Sequence, residues 1–143
     1  MRRVALSAFA LVCGHSAIHA AWFTLAGNPL DNSADYIQVD PQSVVADGVL
    51  RTLQVRVSRA QTRTSTDGVA FRSFQGIAEV NCEKKTARYT SATFYNQPHF
   101  TGPPVTTLTY QPNQVRPVAF RQIDGDYAQR LIRAACVVEK TGG

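Results

Sequence analysis

The chain is short of the residues that enzymes most often use at their centres. Its three histidines are His15, His19 and His99, and only the last lies beyond residue 20. A lone imidazole, with no second His, free thiol or carboxylate cluster beside it, offers too few ligands for a transition metal. As a general base it would need a nucleophile brought to it by the fold. In the Pro-rich stretch where it stands, His99 reads as solvated or packed against its own loop. The sequence has no Gly-x-Ser-x-Gly elbow, no phosphate-cradling glycine loop and no His-Glu-x-x-His. Asp124 and Asp126 lack the further ligands of a calcium loop and read as helix-capping residues. No carboxylate pair stands out for glycosidic chemistry. These absences argue for a non-enzyme without metal or cofactor; a hydrolase site around His99 is the enzymatic alternative.

Long apolar runs are also missing. The longest, Val4–Val12 with one Ser, is too short to cross a bilayer. It follows Met1-Arg2-Arg3 and leads to Ala17-Ile18-His19-Ala20, which is the plan of a secretory signal peptide cleaved between Ala20 and Ala21. Cleavage before Cys13 would leave bulky Val12 where lipoprotein signals need a small residue, so a lipid anchor is disfavoured. Residues 21–143 then form one domain's worth of exported chain, without a transmembrane helix.

Basic residues are absent from 21–50, which carry Asp31, Asp35, Asp40 and Asp47 for a charge of −4. Residues 51–143 hold 13 basic and six acidic residues, or +7. The difference leaves the exported chain at +3. A positive face suits protein or glycan partners that carry acidic groups, or simply keeps the protein soluble. No motif that stacks bases between cations accompanies it, so nucleic acid is not an expected partner. Arg116, Arg121, Arg130 and Arg133, with the Lys84-Lys85 turn, are the candidate ligand-binding residues. Guanidinium groups grip carboxylate, sulfate and phosphate through paired contacts.

What is present is mostly β-strand pattern. Trp22–Ala26 and Tyr36–Val39 read as short strands, the second stopped at Asp40-Pro41. Asp47-Gly48 is a hairpin dipeptide. From Val49 to Gln61 the period is two: Val49, Leu53, Val55 and Val57 face one way, and Thr52, Gln54, Arg56 and Ser58 the other. Arg51 intrudes on the apolar side near the start, where it is expected to reach solvent. Thr62–Gly68 has no period and reads as a loop. Val69–Tyr95 is the organising hairpin, turning at Glu83-Lys84-Lys85-Thr86, with Phe74, Gly76, Ala78, Val80 and Cys82 sharing one face as a shallow trough. Asn96–Pro104 reads as an exposed loop and Val105–Tyr110 as a sixth strand.

One helix is evident, on Tyr127–Glu139. Ala128, Leu131, Ile132, Ala135 and Cys136 make its apolar stripe, with Gln129, Arg130 and Arg133 opposite. Cys136 thus lies on the buried stripe and Cys82 in the trough. Two cysteines in an exported chain normally pair, and here they would staple the helix to the sheet. The expected fold is α+β: a single antiparallel sheet of about six strands, with one C-terminal helix packed across it and tied by the Cys82–Cys136 disulfide.

Val39-Asp40-Pro41-Gln42-Ser43-Val44, then Ala78–Tyr89 around Cys82, then Ala134-Ala135-Cys136, with Trp22 ahead of them, occur in one order. That order resembles the surface-adhesin protein E family of Gram-negative bacteria, over roughly residues 22–137. The resemblance implies a six-stranded antiparallel sheet with a disulfide-tied helix, and carries over Cys82 and Cys136 residue by residue. It further implies envelope or surface display and binding of host laminin, vitronectin and plasminogen. The alternative is a periplasmic structural or inhibitory module that recognises an envelope component.

Overall fold

The structure, a computed structural model, describes residues 21–137; the signal segment expected over residues 1–20 lies outside the described residues. Six strands form one antiparallel sheet in chain order: β1 (Phe23–Gly27), β2 (Tyr36–Asp47), β3 (Leu50–Thr64), β4 (Ala70–Asn81), β5 (Thr86–Tyr95) and β6 (Pro104–Thr109). Among the described residues one α-helix, α1 (Tyr127–Cys136), packs across one face of the sheet. The sulfur atoms of Cys82 and Cys136 are bonded, with the Cα atoms 5.6 Å apart.

The period-two pattern explains which face α1 covers. Leu53, Val55 and Val57 of β3, Ile37 and Val39 of β2, and Ala78 and Val80 of β4 are all buried and form the core with Leu131, Ile132 and Ala135 of the helix. The predicted stripe on α1 therefore points as expected. The trough on β4 has a sharper basis than small size alone. A Cβ on Gly76 would stand 2.7 Å from the backbone oxygen of Ser91 and 3.4 Å from Cδ1 of Tyr89. That backbone atom cannot swing away as a side chain can. Gly76→Ala is therefore expected to cost about 1–3 kcal/mol through overpacking, read as a lowered midpoint in urea unfolding.

Two strands run on where the sequence signals a stop. Pro41 does not end β2. Asp40 pairs with Gln54 and Val45 with Thr52, so four residues of β2 oppose Leu53 alone in a bulge. The proline, which has no N–H to give a ladder, sits inside that bulge. Side chains close it: Asp40 Oδ1 accepts from the Gln42 amide, and Ser43 Oγ donates to the Asp40 carbonyl while accepting from the Gln54 amide. The stretch Thr62–Gly68 likewise begins as strand. β3 continues to Thr64 after a second bulge, where residues 59–62 oppose Arg72 alone, and only Ser65–Gly68 turn.

Three further expectations are corrected. The β2–β3 turn is Gly48-Val49, because Asp47 already pairs with Leu50. Gly48 has φ +59° and takes the first turn position, so Val49 is a turn residue, 45 % exposed, and not part of the apolar row. Arg51 does not reach solvent. It is buried, and its Nη1 donates to the carbonyls of Gly48 and Leu50 in the turn. Asp126 stands at the helix N-cap but makes no capping bond. Its carboxylate instead receives Arg130 Nε at 2.8 Å and Arg133 Nη2 at 3.3 Å.

The chain after β6 is a strap. The Tyr89 amide donates to the Arg116 carbonyl and the Val118 amide to the Ala87 carbonyl. The outer edge of β5 is thus shared, with β6 on residues 91–95 and the strap on its first half. Val118 and Phe120 fall from the strap into the core.

The face opposite α1 is polar. Thr24, Gln38, Arg56, Gln75, Thr93 and Thr107 are successive cross-strand partners over all six strands. Arg56 Nε donates to Gln38 Oε1 at 2.7 Å, and its guanidinium lies 4.1 Å from the Trp22 ring centroid. The Pro-rich loop folds onto this side. A short 3₁₀ turn, Pro98–Phe100, is held by the His99 amide to Ser58 Oγ and the Phe100 amide to Ser73 Oγ.

Candidate functional site

His99 works as a latch within this arrangement. Its Nδ1 shares a hydrogen bond with the Tyr36 hydroxyl at 2.7 Å, and its Nε2 shares another with Asn32 Oδ1 at 2.6 Å. Both ring nitrogens are engaged by neighbouring side chains, which fixes a left-handed residue (φ 59°) against the sheet. Pro98, His99 and Phe100 are therefore half-buried against the sheet, while Asn96, Gln97 and residues 101–104 are exposed, as expected of a loop. Among the described residues no group of three or more His, Cys, Asp or Glu converges as a metal site would require.

A concavity lies elsewhere, where β3, β4 and β5 meet the strap. The second bulge ends β3's regular pairing at Ser58, and the strap bridges β5 from outside. A cleft of about 510 Å³ opens between them. Its lining is aromatic: Phe71, Phe74, Tyr89, Phe94, Tyr110 and Phe120 all contribute. The rings pack edge to face, Phe71 on Phe94 with centroids 5.3 Å apart and Phe74 on Tyr89 at 5.5 Å. This geometry fixes the wall, because it suits the ring quadrupoles.

Around the aromatic wall stand four arginines, Arg59, Arg63, Arg116 and Arg121, against one carboxylate, Asp67. Arg116 and Asp67 form a clamp, with Nη2 to Oδ1 at 2.6 Å and a Tyr110 hydroxyl bond to Oδ2 at 3.1 Å. The hydrogen bond from Arg116 holds the Asp67 carboxyl below the usual carboxylate range. Burial, and then Asp67 itself, push the Tyr110 phenol up to about 12. A lowered carboxyl keeps its contribution above its ordinary value and loses it as pH falls through the lowered one, so the clamp is closed at neutral pH. Arg121 donates from Nη2 to Thr66 Oγ1 at 2.7 Å. Arg59 is buried beneath, ion-paired to Asp35 at 3.2 Å and donating from Nη1 to the Arg121 carbonyl at 2.9 Å. Burial lowers its pKa from the ordinary guanidinium value, and the neighbouring Asp35 partly restores it.

The four sequence-derived arginines thus fall into two groups. Arg116 and Arg121 line the cleft. Arg130 and Arg133 share Asp126 on the outer side of α1, with side chains 53 % and 63 % exposed. Sequence reasoning missed Arg59 and Arg63. The signal for Arg59 was its parity, since it follows Leu53, Val55 and Val57 at the next position on the core face. Arg63 lay beyond a bulge that no local pattern announced.

A family model described as surface-adhesin protein E matches residues 22–137, which is nearly all of the described chain. The chain belongs to the surface-adhesin protein E family. Surface-adhesin protein E is, by that description, a binding class. The chain is also similar to crystal structures of protein E from Haemophilus influenzae. Crystal form II matches at 16 % identity over 71 % of this chain and 83 % of that one, with a TM-score of 0.43. Protein E from non-typeable Haemophilus influenzae matches at 15 % identity over 69 % and 71 %, with a TM-score of 0.41. No curated protein matches the chain. Among the described residues of this surface-adhesin protein E member, no helix is long and apolar enough to cross a membrane.

Proposed function

We propose that this member of the surface-adhesin protein E family is exported by cleavage between Ala20 and Ala21 and that residues 21–143 act as a binding domain of the bacterial envelope. Displayed at the surface, it binds acidic groups on host matrix or plasma proteins or on glycans, and carries out no catalysis. The observation that supports this most is the cleft, whose lining sets four arginines against one aspartate. Arg121 presents a cation at the cleft beside Arg116, which Asp67 holds, and Arg130 and Arg133, which share Asp126, offer a second exposed pair. A site with excess guanidinium favours anionic partners and speeds their capture at low salt.

Two measurements test this reading. On intact cells, external protease is expected to cleave the protein while a periplasmic marker survives. Protection until the outer membrane is opened would instead identify a periplasmic module acting on an envelope component. With purified protein, retention on immobilised heparin, a generic acidic glycan, is expected to fall steeply as salt rises. Arg121→Ala combined with Arg130→Ala and Arg133→Ala should weaken it about tenfold, the equivalent of 1.4 kcal/mol. Retention unchanged by salt and by the triple variant would overturn recognition through these arginines.

A further inference from the structure

The cleft holds more donor capacity than the chain uses. Arg59 is 5 % exposed, yet its Nη2 makes no hydrogen bond, and Arg63 Nε is likewise buried and unbonded. A buried guanidinium N–H without an acceptor carries an uncompensated desolvation cost. Arg59 has Asp35 for its charge, through Nε, and the Arg121 carbonyl for Nη1. Nothing among the described residues answers Nη2. An anionic group entering from the cleft would.

The same cleft is walled by aromatic rings, which an anion alone would leave against water. Its size, about 510 Å³, falls in the range of small-molecule pockets, roughly 300–1,000 Å³. We propose that the cleft binds a small amphiphilic anion: one apolar chain lying against Phe71, Phe94 and Phe120, with a carboxylate or phosphate head taken by Arg59 and Arg63. This requires that the cleft be the recognition site, as above, but needs neither surface display nor adhesion. A purely acidic peptide or glycan would satisfy the arginines and leave the rings bare. An uncharged chain would cover the rings and leave the arginines unanswered. Only the combination meets both demands.

Free fatty acids and bilayer lipids share this chemistry, and the experiment separates them. The purified protein is titrated with anilinonaphthalene sulfonate, a fluorescent apolar anion, which is then displaced by dodecanoate, dodecanol or acetate. Dodecanoate should displace it at one molecule per chain. Dodecanol should be at least about tenfold weaker and acetate inactive. Arg63→Gln should weaken dodecanoate about tenfold and leave dodecanol unchanged, whereas Ala119→Trp, which narrows the cleft, should weaken both. Arg63 and Ala119 are chosen because Arg59→Gln would strand Asp35, and a melting curve checks that each variant folds. Equal affinity for dodecanoate and dodecanol would overturn the proposal. So would absent dodecanoate binding while heparin retention persists, an outcome that leaves the adhesive reading standing. Sedimentation with phosphatidylglycerol vesicles in the absence of dodecanoate binding would also overturn it, in favour of surface attraction to lipid.

Discussion

Replacing Cys82 and Cys136 together by alanine is expected to lower stability by about 4 kcal/mol and the melting midpoint by roughly 15 °C. The bond joins residues 54 apart in sequence, and closing a loop of that length removes much of the unfolded chain's freedom. The native-state contribution is smaller, because Leu131 and Ala135 already seat the helix on the sheet. Denaturant unfolding of the oxidised protein and the double variant measures the difference. Residues 21–143, oxidised and denatured, should show no free thiols before reduction and two after. A loss below about 1 kcal/mol would mean that packing alone holds α1, and that the staple adds little.

Leu131→Ala is the second large effect. Leu131 is fully buried, at 0 % exposure, in the core shared by α1 and the sheet. Truncation removes apolar contact and leaves a cavity that the disulfide-tied helix cannot collapse to fill, so the expected cost is about 2–5 kcal/mol. Arg130→Ala, on the same helix but exposed, should change stability by no more than about 0.5 kcal/mol. That contrast, read in one set of urea curves, checks which face of α1 is load-sharing. Leu131→Ala and the cysteine double variant act on the same docking event, so their costs should not add. In the reduced protein the helix can shift, and the truncation should then cost less.

How much of this was legible in the sequence depends on the range of the signal. Leu53, Val55 and Val57 announce their face by alternation, and Leu131, Ile132 and Ala135 by helical spacing. Both are local patterns, and together they oriented Cys82 and Cys136 toward each other. The bulges are a different matter. Pro41 is a stop signal in isolation, but β3 and the side chains of Asp40 and Ser43 hold the chain in strand on either side of it. That support is tertiary. His99 reads as a lone imidazole because its partners, Tyr36 and Asn32, lie 63 and 67 residues away. The cleft was the least legible feature, since it draws on β3, β4, β5 and the strap at once. Arg116 and Arg121 were picked for charge, whereas Arg59 was hidden by its own regular position in an apolar row.

The Cys82–Cys136 bond has a mechanical consequence for a protein anchored at one end and loaded at the other. Tension applied between residues 21 and 137 passes through the sulfur bridge and bypasses everything between the two cysteines. Strands β5 and β6, the strap and the helix form a covalent ring that cannot be drawn out; only residues 21–82 can lengthen. The cleft straddles that divide. Arg59, Arg63 and Phe71 lie on the extensible side, and Tyr89, Arg116 and Phe120 on the locked side. Pulling that peels β4 from β5 would part the cleft's two walls while the ring stays whole, so a ligand spanning them would act as a clasp against shear.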